Sequence, residues 1–194
     1  MEMREIRDLV VSAVVIALAF AIAFTRDGGN FITAFSTSLI AVALSFICHE
    51  LGHRTVAKKF GLHAEYRMWV QGLVLALLLS FAGFVFAAPG AVYITARRGL
   101  WGEYHQVTKK MNGLISAAGP LTNIVLAALF LFLTLFVPLV GSIAAYGVMV
   151  NAWLAIFNLV PFGPLDGGKI LSWDKRIWAI LMAVSIGIFA FASF

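Results

Sequence analysis

Hydrophobic residues in this chain fall into six long runs separated by short polar connections. The runs cover residues 9–25, 31–53, 69–88, 114–137, 140–161 and 177–194. Most of them approach the roughly 20 residues that an α-helix needs to cross the hydrocarbon core of a bilayer. Turn signals lie between the runs, at "GGN" after the first and at "PLVG" before the fifth. The pattern predicts a polytopic membrane protein.

The run at 69–88 is predicted to enter and leave the membrane on the same side. Cytoplasmic loops are enriched in Lys and Arg, so we place the N-terminus and the end of the second run in the cytoplasm. A single crossing by 69–88 would export the four basic residues that follow it, which are Arg97, Arg98, Lys109 and Lys110. A re-entrant or peripherally packed hairpin, turning near residues 80–83, keeps every basic residue except Arg26 inside. Its irregular backbone would have to be covered by protein or water.

The predicted fold class is an all-α polytopic membrane protein of about five to six transmembrane helices. The hairpin is one addition to this bundle, and a small β-like element around "AVYI" at 91–94 is another. No internal repeat divides the chain, so residues 1–194 are predicted to form a single transmembrane domain. The N-terminal lead mixes acidic and basic residues, which favours an uncleaved first helix over a signal peptide.

Composition supports the membrane assignment. Hydrophobic residues make up 62% of the chain and charged residues 12%, whereas a soluble domain carries about 25% charged residues. The formal net charge is +5, but the basic residues lie between apolar runs. Topology and lipid headgroups explain them, and nucleic acid is not a predicted partner. The single Cys48 excludes an internal disulfide.

The second run ends in "HELGH" at 49–53, which places three ionisable groups in an apolar segment. His49 and His53 project from one face of a helix about 6 Å apart, so their imidazoles can bind one metal ion. Glu50 lies on the adjacent flank, where it can reach a water molecule without being a ligand. This is the H-E-x-x-H arrangement of zinc hydrolases, in which the glutamate is the general base. The alternative is a helix end that simply emerges into water.

Zinc in a catalytic site needs a third protein ligand, and Asp166 is the first candidate. Asp166 closes an apolar run in which Pro161 and Pro164 should break the helix, and two glycines after it allow a sharp turn. The charge-based topology brings Asp166 to the same side of the membrane as His49. Two alternatives stay open: Asp166 could be a solvated helix stop, and Glu103 could be the third ligand.

Three ordered motifs resemble the site-2 proteases, zinc metalloproteases that cleave substrates within the membrane. They are "HELGH" in one helix, "AAGPLTN" at 117–123 opening another, and "NLVPFGPLDGG" at 158–168 ending a third. The resemblance covers roughly half of the chain and is to a minimal prokaryotic-type core without a PDZ or nucleotide-sensing domain. It implies that His49, His53 and Asp166 hold one Zn²⁺ per chain, that Glu50 is the catalytic base and that Asn158 lies beside the site.

Three asparagines are candidates for stabilising the oxyanion that forms when water attacks a peptide carbonyl. Asn158 is the first candidate. Asn151 lies seven residues earlier, within about 20° on the same helix face, and Asn123 could assist from a neighbouring helix. Each of them could instead make a helix–helix hydrogen bond, which is common in membrane packing.

Substrate binding is assigned to Gly90, Ala91, Val92, Tyr93 and Ile94. A helical substrate must unwind before its peptide bonds can be reached, and an edge strand could capture the opened segment by strand addition.

The predicted protein is therefore an intramembrane zinc endopeptidase of the cell membrane that takes part in regulated intramembrane proteolysis. It would act on transmembrane protein substrates within the lipid bilayer, with its active site toward the cytoplasmic side. The alternatives are a catalytically silent membrane scaffold or chaperone, and a metal transporter that uses the same His and Asp residues.

Overall fold

The computed structural model describes residues 2–86, 88–95 and 107–193. Within them the chain forms seven α-helices, two strands and one 3-10 turn. In chain order these are α1 (Met3–Thr25), α2 (Phe31–Lys59), β1 (His63–Met68), α3 (Val70–Ser80), β2 (Gly90–Thr95), α4 (Lys109–Phe136), the 3-10 turn (Pro138–Val140), α5 (Gly141–Leu159), α6 (Asp166–Trp173) and α7 (Lys175–Ser193).

Five of these helices have the length and apolar character needed to cross a bilayer: α1, α2, α4, α5 with its preceding 3-10 turn, and α7. The predicted all-α polytopic class is confirmed. The helices extend beyond the apolar runs where polar groups find partners. α1 begins at Met3 rather than near residue 9, and α2 continues to Lys59 rather than stopping near residue 53.

Side-chain caps fix three of the helix starts, including those of α2 and α4. The Asn30 side chain accepts a hydrogen bond from Thr33 N (3.0 Å) at the start of α2, and Thr108 accepts one from Met111 N (3.2 Å) at the start of α4. Because Thr108 caps α4, this helix begins well before "AAGPLTN". The expectation that this motif opens a helix is wrong: Pro120 lies in the interior of α4.

The segment between β1 and β2 is a hairpin, as predicted. The strands pair antiparallel, with Met68 opposite Gly90, and Trp69 N donates to Pro89 O at 2.7 Å. α3 leads away from this base, the chain turns at residues 81–83, and residues 84–86 and 88–89 return without regular secondary structure. Gly83 adopts a φ of 83°, which suits glycine at the turn.

The hairpin runs along most of the length of α1. At its base, Met68 N donates to Asp8 Oδ2 (3.4 Å), and at its tip Arg26 Nη1 donates to Ala82 O (2.9 Å). Asp8 and Arg26 are eighteen residues apart, or about 27 Å of helix. The returning limb packs in the buried core formed by α1, α2 and α5, and its Val85 carbonyl accepts a hydrogen bond from Trp153 Nε1 (3.1 Å). Protein thus covers part of the irregular backbone, as membrane depth requires.

A break between α5 and α6 turns the chain back into the bundle. α5 ends at Leu159, because Val160 precedes Pro161 and is held in an extended conformation. The free Leu159 carbonyl accepts a hydrogen bond from Trp178 Nε1 of α7 at 2.8 Å. Gly167 lies against the same carbonyl, where a Cβ would collide. The close approach places Asp166 at the first position of α6, aimed toward α2.

Candidate active site

α2 and α6 bring three ionisable side chains together in the interior of the bundle. His49 Nε2 and His53 Nε2 lie 3.0 Å apart, and Asp166 Oδ2 lies 3.5 Å and 3.0 Å from them respectively. All three residues are buried. The predicted ligand set from two distant parts of the chain is thus assembled at one point, and it is the one such cluster among the described residues.

The spacing of these atoms fits a zinc ion. Tetrahedral zinc with ligands at 2.0–2.1 Å separates neighbouring ligand atoms by about 3.3 Å. The three observed separations, 3.0 to 3.5 Å, bracket that value. Two histidines and one carboxylate also leave the fourth position open, as in catalytic zinc sites.

Hydrogen bonds fix both imidazoles with their Nε2 lone pairs toward the ion position. His49 Nδ1 contacts Asn123 Oδ1 at 2.5 Å. The Asn123 amide nitrogen donates to Ser45 O (3.2 Å) and to Asn151 Oδ1 (3.0 Å), so its oxygen must be the acceptor. His53 Nδ1 donates to the Ile115 carbonyl at 2.7 Å. With both Nδ1 atoms protonated, the two Nε2 atoms are free to be metal ligands.

Asn123 and Asn151 therefore lie behind His49 and do not line the catalytic cavity. Asn151 continues the chain of bonds by donating to Gly147 O at 2.8 Å. Of the two roles predicted for these asparagines, the geometry favours the helix–helix hydrogen bond, since α2, α4 and α5 are joined through them.

Two glycines allow α4 to approach the ligands. A Cβ on Gly119 would collide with Nε2 of both His49 and His53, and a Cβ on Gly52 would lie 2.7 Å from the Thr122 hydroxyl. α4 thus forms one wall of the ion position itself.

Glu50 and Asn158 lie at the cavity beside the ligands. Glu50 is buried, and within the described part of the chain its Oε2 has no hydrogen-bond partner. Such an orphaned carboxylate oxygen is suited to receive a proton from water. Asn158 donates from Nδ2 to Leu154 O (2.9 Å), which leaves one amide hydrogen for a ligand.

Asp166 is held in its ionised form. Burial by itself would raise the pKa of Asp166. The charge of His53 when it is protonated, hydrogen bonds from the His49 and His53 rings and the nearby Lys169 ammonium outweigh burial, so in that state the pKa of this carboxyl lies well below its ordinary value. Lys169 Nζ is 3.5 Å from Asp166 Oδ1. The lysine therefore faces one carboxylate oxygen while the other, Oδ2, faces the histidines.

The catalytic cavity is bordered by the base of the hairpin and by β2. Gly90, Ala91, Val92 and Ile94 of the predicted substrate strand line it. Tyr93 does not: its side chain is 56% exposed on the other face of the sheet, with the Arg67 guanidinium 5.5 Å from its ring centre. The predicted substrate contact of Tyr93 is by strand addition, which uses the backbone rather than this side chain.

The strand register identifies which backbone groups of β2 are free. Tyr66 N and Met68 N donate to carboxylates of α1, so these residues face away from β2. Their partners Val92 and Gly90, and Ile94 opposite Ala64, therefore direct their own N–H and C=O groups away from β1. β1 is closed by α1, and among the described residues no strand pairs with the outer edge of β2, which we call the open edge of the sheet.

Sequence reasoning missed the acidic residues that close β1. Glu5 accepts a hydrogen bond from Tyr66 N (3.3 Å) and pairs with Arg54 Nη1 (3.1 Å). Asp8 accepts from Met68 N and pairs with Arg7. Glu5 and Asp8 are three residues apart on one helix face, and that spacing in an otherwise apolar helix was the available signal. β1 itself was missed because its sequence, "HAEYRM", reads as a polar connection.

A two-histidine, one-carboxylate cluster with a free glutamate, buried among helices of membrane-spanning length, defines a membrane-embedded zinc hydrolase. Comparison with known proteins gives the family. Residues 37–145, more than half of the chain, match peptidase family M50. The chain belongs to this family, that of the site-2 proteases.

Several curated relatives carry names that agree with this family. "Putative zinc metalloprotease MJ0611" of Methanocaldococcus jannaschii is 44% identical over 195 residues, which cover 98% of this chain and 95% of the relative. "Putative zinc metalloprotease YwhC" of Bacillus subtilis is 30% identical over 156 residues, covering 69% of this chain and 66% of the relative. "Zinc metalloprotease MJ0392" of M. jannaschii is 28% identical, and the match covers 32% of that protein. No solved structure gives a significant match.

The chain is thus a zinc metalloprotease and a multi-pass membrane protein, and its cofactor is zinc. Among the predicted alternatives, the family favours the enzyme over a silent scaffold or a transporter. Glu103, the alternative third ligand, lies outside the described residues, and the cluster with Asp166 already supplies three ligands.

Proposed function

We propose that this protein is an intramembrane endopeptidase that hydrolyses peptide bonds within or near transmembrane segments of membrane protein substrates, as in regulated intramembrane proteolysis. The observation that carries the proposal is the burial of His49, His53 and Asp166 among helices long enough to span a bilayer. A protease that cleaves soluble loops does not need a hydrolytic centre buried among helices that span the membrane. A protease that cleaves transmembrane segments does need one.

The proposed roles follow from the geometry. His49, His53 and Asp166 hold one zinc ion, which when bound polarises a water molecule and a peptide carbonyl. Glu50 takes a proton from the attacking water and delivers it to the leaving amine. The free amide hydrogen of Asn158 is directed at the oxygen on which negative charge develops. Asn123 and Asn151 orient His49.

The open edge of β2 is the proposed docking site for an unwound substrate segment. Gly90, Val92 and Ile94 supply free backbone groups at the cavity, so a substrate strand can pair there by strand addition. The hairpin register thus narrows the five predicted residues to three whose backbones would bind substrate. Ala91 and Tyr93 hold β2 to β1.

The active site is proposed to open toward the cytoplasm. The ligands lie near the end of α2 that carries Lys58 and Lys59, and Arg54 pairs there with Glu5 at the start of α1. Because basic residues favour the cytoplasmic side, this end of the bundle is assigned to it, and Arg26 to the other.

Two carboxylate variants test the function. Glu50→Gln should retain wild-type zinc content and lose turnover of a fluorogenic transmembrane peptide, because it removes the base and no ligand. Asp166→Asn should weaken zinc binding as well, since it removes a ligand. Asp27→Asn, an exposed carboxylate at the α1–α2 turn, is the control and should match wild type. Wild-type cleavage by zinc-loaded Glu50→Gln would contradict the mechanism.

A further inference from the structure

The interior of α4 contains a main-chain carbonyl that has lost its helical partner. In an α-helix the N–H of residue i+4 donates to the carbonyl of residue i, and proline has no N–H. Pro120 therefore leaves the Ser116 carbonyl without its donor. Nearby donors serve other carbonyls: the Thr122 hydroxyl bonds to Ala118 O, and His53 Nδ1 to Ile115 O.

Ser116 lines the catalytic cavity. It is 2% exposed, and the cavity that it borders is also bordered by Gly90 and Val92 of the open β2 edge. Pro120 is buried as well. A buried carbonyl in a membrane-embedded domain needs a hydrogen-bond donor, and at this position a donor can come from a molecule in the cavity.

We propose that Ser116 is a second backbone-recognition point for the substrate: its carbonyl, freed by Pro120, accepts a hydrogen bond from a substrate N–H, and its hydroxyl donates to a substrate carbonyl. The inference rests on the proposed strand addition at β2. A strand bound to that edge directs every second residue's N–H and C=O groups away from β2 and toward the rest of the cavity. Ser116 meets these groups there.

The ligand class follows from this arrangement. β2 and Ser116 both bind main-chain groups, so together they recognise an extended backbone and make little demand on side chains. A peptide that remains helical has its N–H groups bonded internally and can donate neither to β2 nor to Ser116. The site therefore selects transmembrane segments that unwind.

Amide-to-ester substitution in the substrate tests the contact directly. The cleavage site of a synthetic single-helix transmembrane peptide is first mapped with the wild-type protein. Each backbone N–H within four residues of the scissile bond, but not the scissile amide itself, is then replaced in turn by an ester oxygen. Cleavage is measured with the wild type, Pro120→Ala and Ser116→Ala, and binding is measured with zinc-loaded Glu50→Gln.

Pro120→Ala restores an N–H at residue 120, which would occupy the Ser116 carbonyl. Esters at positions that pair with β2 should lower kcat/KM in both the wild type and Pro120→Ala. We expect one further ester position to lower wild-type kcat/KM about tenfold and to have no further effect in Pro120→Ala. With the all-amide peptide, Pro120→Ala should itself lose about tenfold at unchanged zinc content. Ser116→Ala keeps the carbonyl, so it should remain sensitive to the same ester. Binding of the peptide to zinc-loaded Glu50→Gln should also weaken when the ester is placed at that position.

Equal ester effects in the wild type and Pro120→Ala would overturn the inference. So would loss of zinc from Pro120→Ala, because the proline would then serve to hold the ligand wall rather than to free a carbonyl. Failure of the zinc-loaded wild type to cleave any transmembrane peptide would instead contradict the proposed function. In that case the ester pattern in binding to Glu50→Gln still decides whether Ser116 contacts a backbone.

Discussion

His49 shows how the residues behind a metal site determine what the ligand can do. Its Nδ1 is held by Asn123, which is held in turn by Asn151 and the Ser45 carbonyl. The chain of bonds fixes the tautomer, so Nε2 offers a lone pair before any ion binds. Rotation of His49 would break its bond to an Asn123 side chain that α2 and α5 hold in place, and the ligand is therefore pre-oriented.

Removing the Asn123 amide should weaken zinc binding without abolishing the fold. Asn123→Ala frees the His49 ring and its tautomer, and loss of such a partner typically costs 10–100-fold in metal affinity. Competition with a zinc chelator measures the change. Asn112→Ala, on the same helix but outside this network, is the control. Equal zinc affinity in the two variants would remove Asn123 from the positioning role.

Gly119 sets the space available to the ion. Gly119→Ala should abolish zinc binding, because its Cβ would collide with Nε2 of both His49 and His53. Gly187→Ala is a matched control in another membrane helix, where an added Cβ meets nothing within 4 Å. Zinc content of the two purified variants tests the prediction, which is wrong if Gly119→Ala retains one zinc per chain.

At the scale of elements, the small sheet is asymmetric. Carboxylates of α1 occupy the free N–H groups of β1, whereas β2 presents its free groups to the catalytic cavity. An open edge is a template for pairing with another chain. Here one edge is closed by buried Glu5 and Asp8, so the proposed strand addition would be directed to the side where the zinc ligands lie.

Proline at Val92 should impair substrate binding selectively. The Val92 N–H points away from β1, so Val92→Pro removes an edge donor without removing a β1–β2 bond. We expect KM for a transmembrane peptide to rise severalfold, as loss of one hydrogen bond implies, while zinc content stays constant. Val92→Ala loses side-chain packing but keeps the N–H, and serves as the control. Similar KM values for the two variants would exclude this edge contact.

The elements predicted from the sequence and those in the structure differ most in the strands and in the start of α4. The β2 strand and the 69–88 hairpin were predictable, because "AVYI" has β-forming residues and the basic residues require a same-side return. β1 was not, since its partner lies more than twenty residues away and its polar residues alternate with buried Ala64 and Tyr66. The start of α4 follows from Thr108, a residue type that caps helices, whereas the hydrophobic run begins only near residue 114.

For the whole molecule, the hairpin determines how many times the chain crosses the bilayer. Its two ends meet at the β1–β2 pair and its tip reaches Arg26 at the opposite end of α1. β2 therefore lies at the same end of the hairpin as β1, and α2, α4 and α6 bring His49, His53 and Asp166 together against one wall. A single crossing at this point would separate Asp166 from the histidines.

Cysteine labelling tests the proposed orientation. In a Cys48→Ser background, Lys110→Cys should react with a membrane-impermeant thiol reagent only from the cytoplasmic face, and Asp27→Cys only from the outer face. Both native side chains are exposed, so access is decided by the side of the membrane. Right-side-out and inverted vesicles give the two measurements. Labelling of Lys110→Cys from the outside alone would refute the same-side return.

The sequence by itself determined the membrane class and the zinc chemistry of "HELGH", and it predicts the side of the bilayer on which each polar group should lie. These follow from local properties: hydrophobic length, helical spacing and the distribution of charge. Only the tertiary structure decided that Asn123 orients His49, that Gly119 makes room for the ion, and which edge of the sheet is open. Those features depend on distances between residues far apart in the chain, and one-dimensional patterns do not encode such distances.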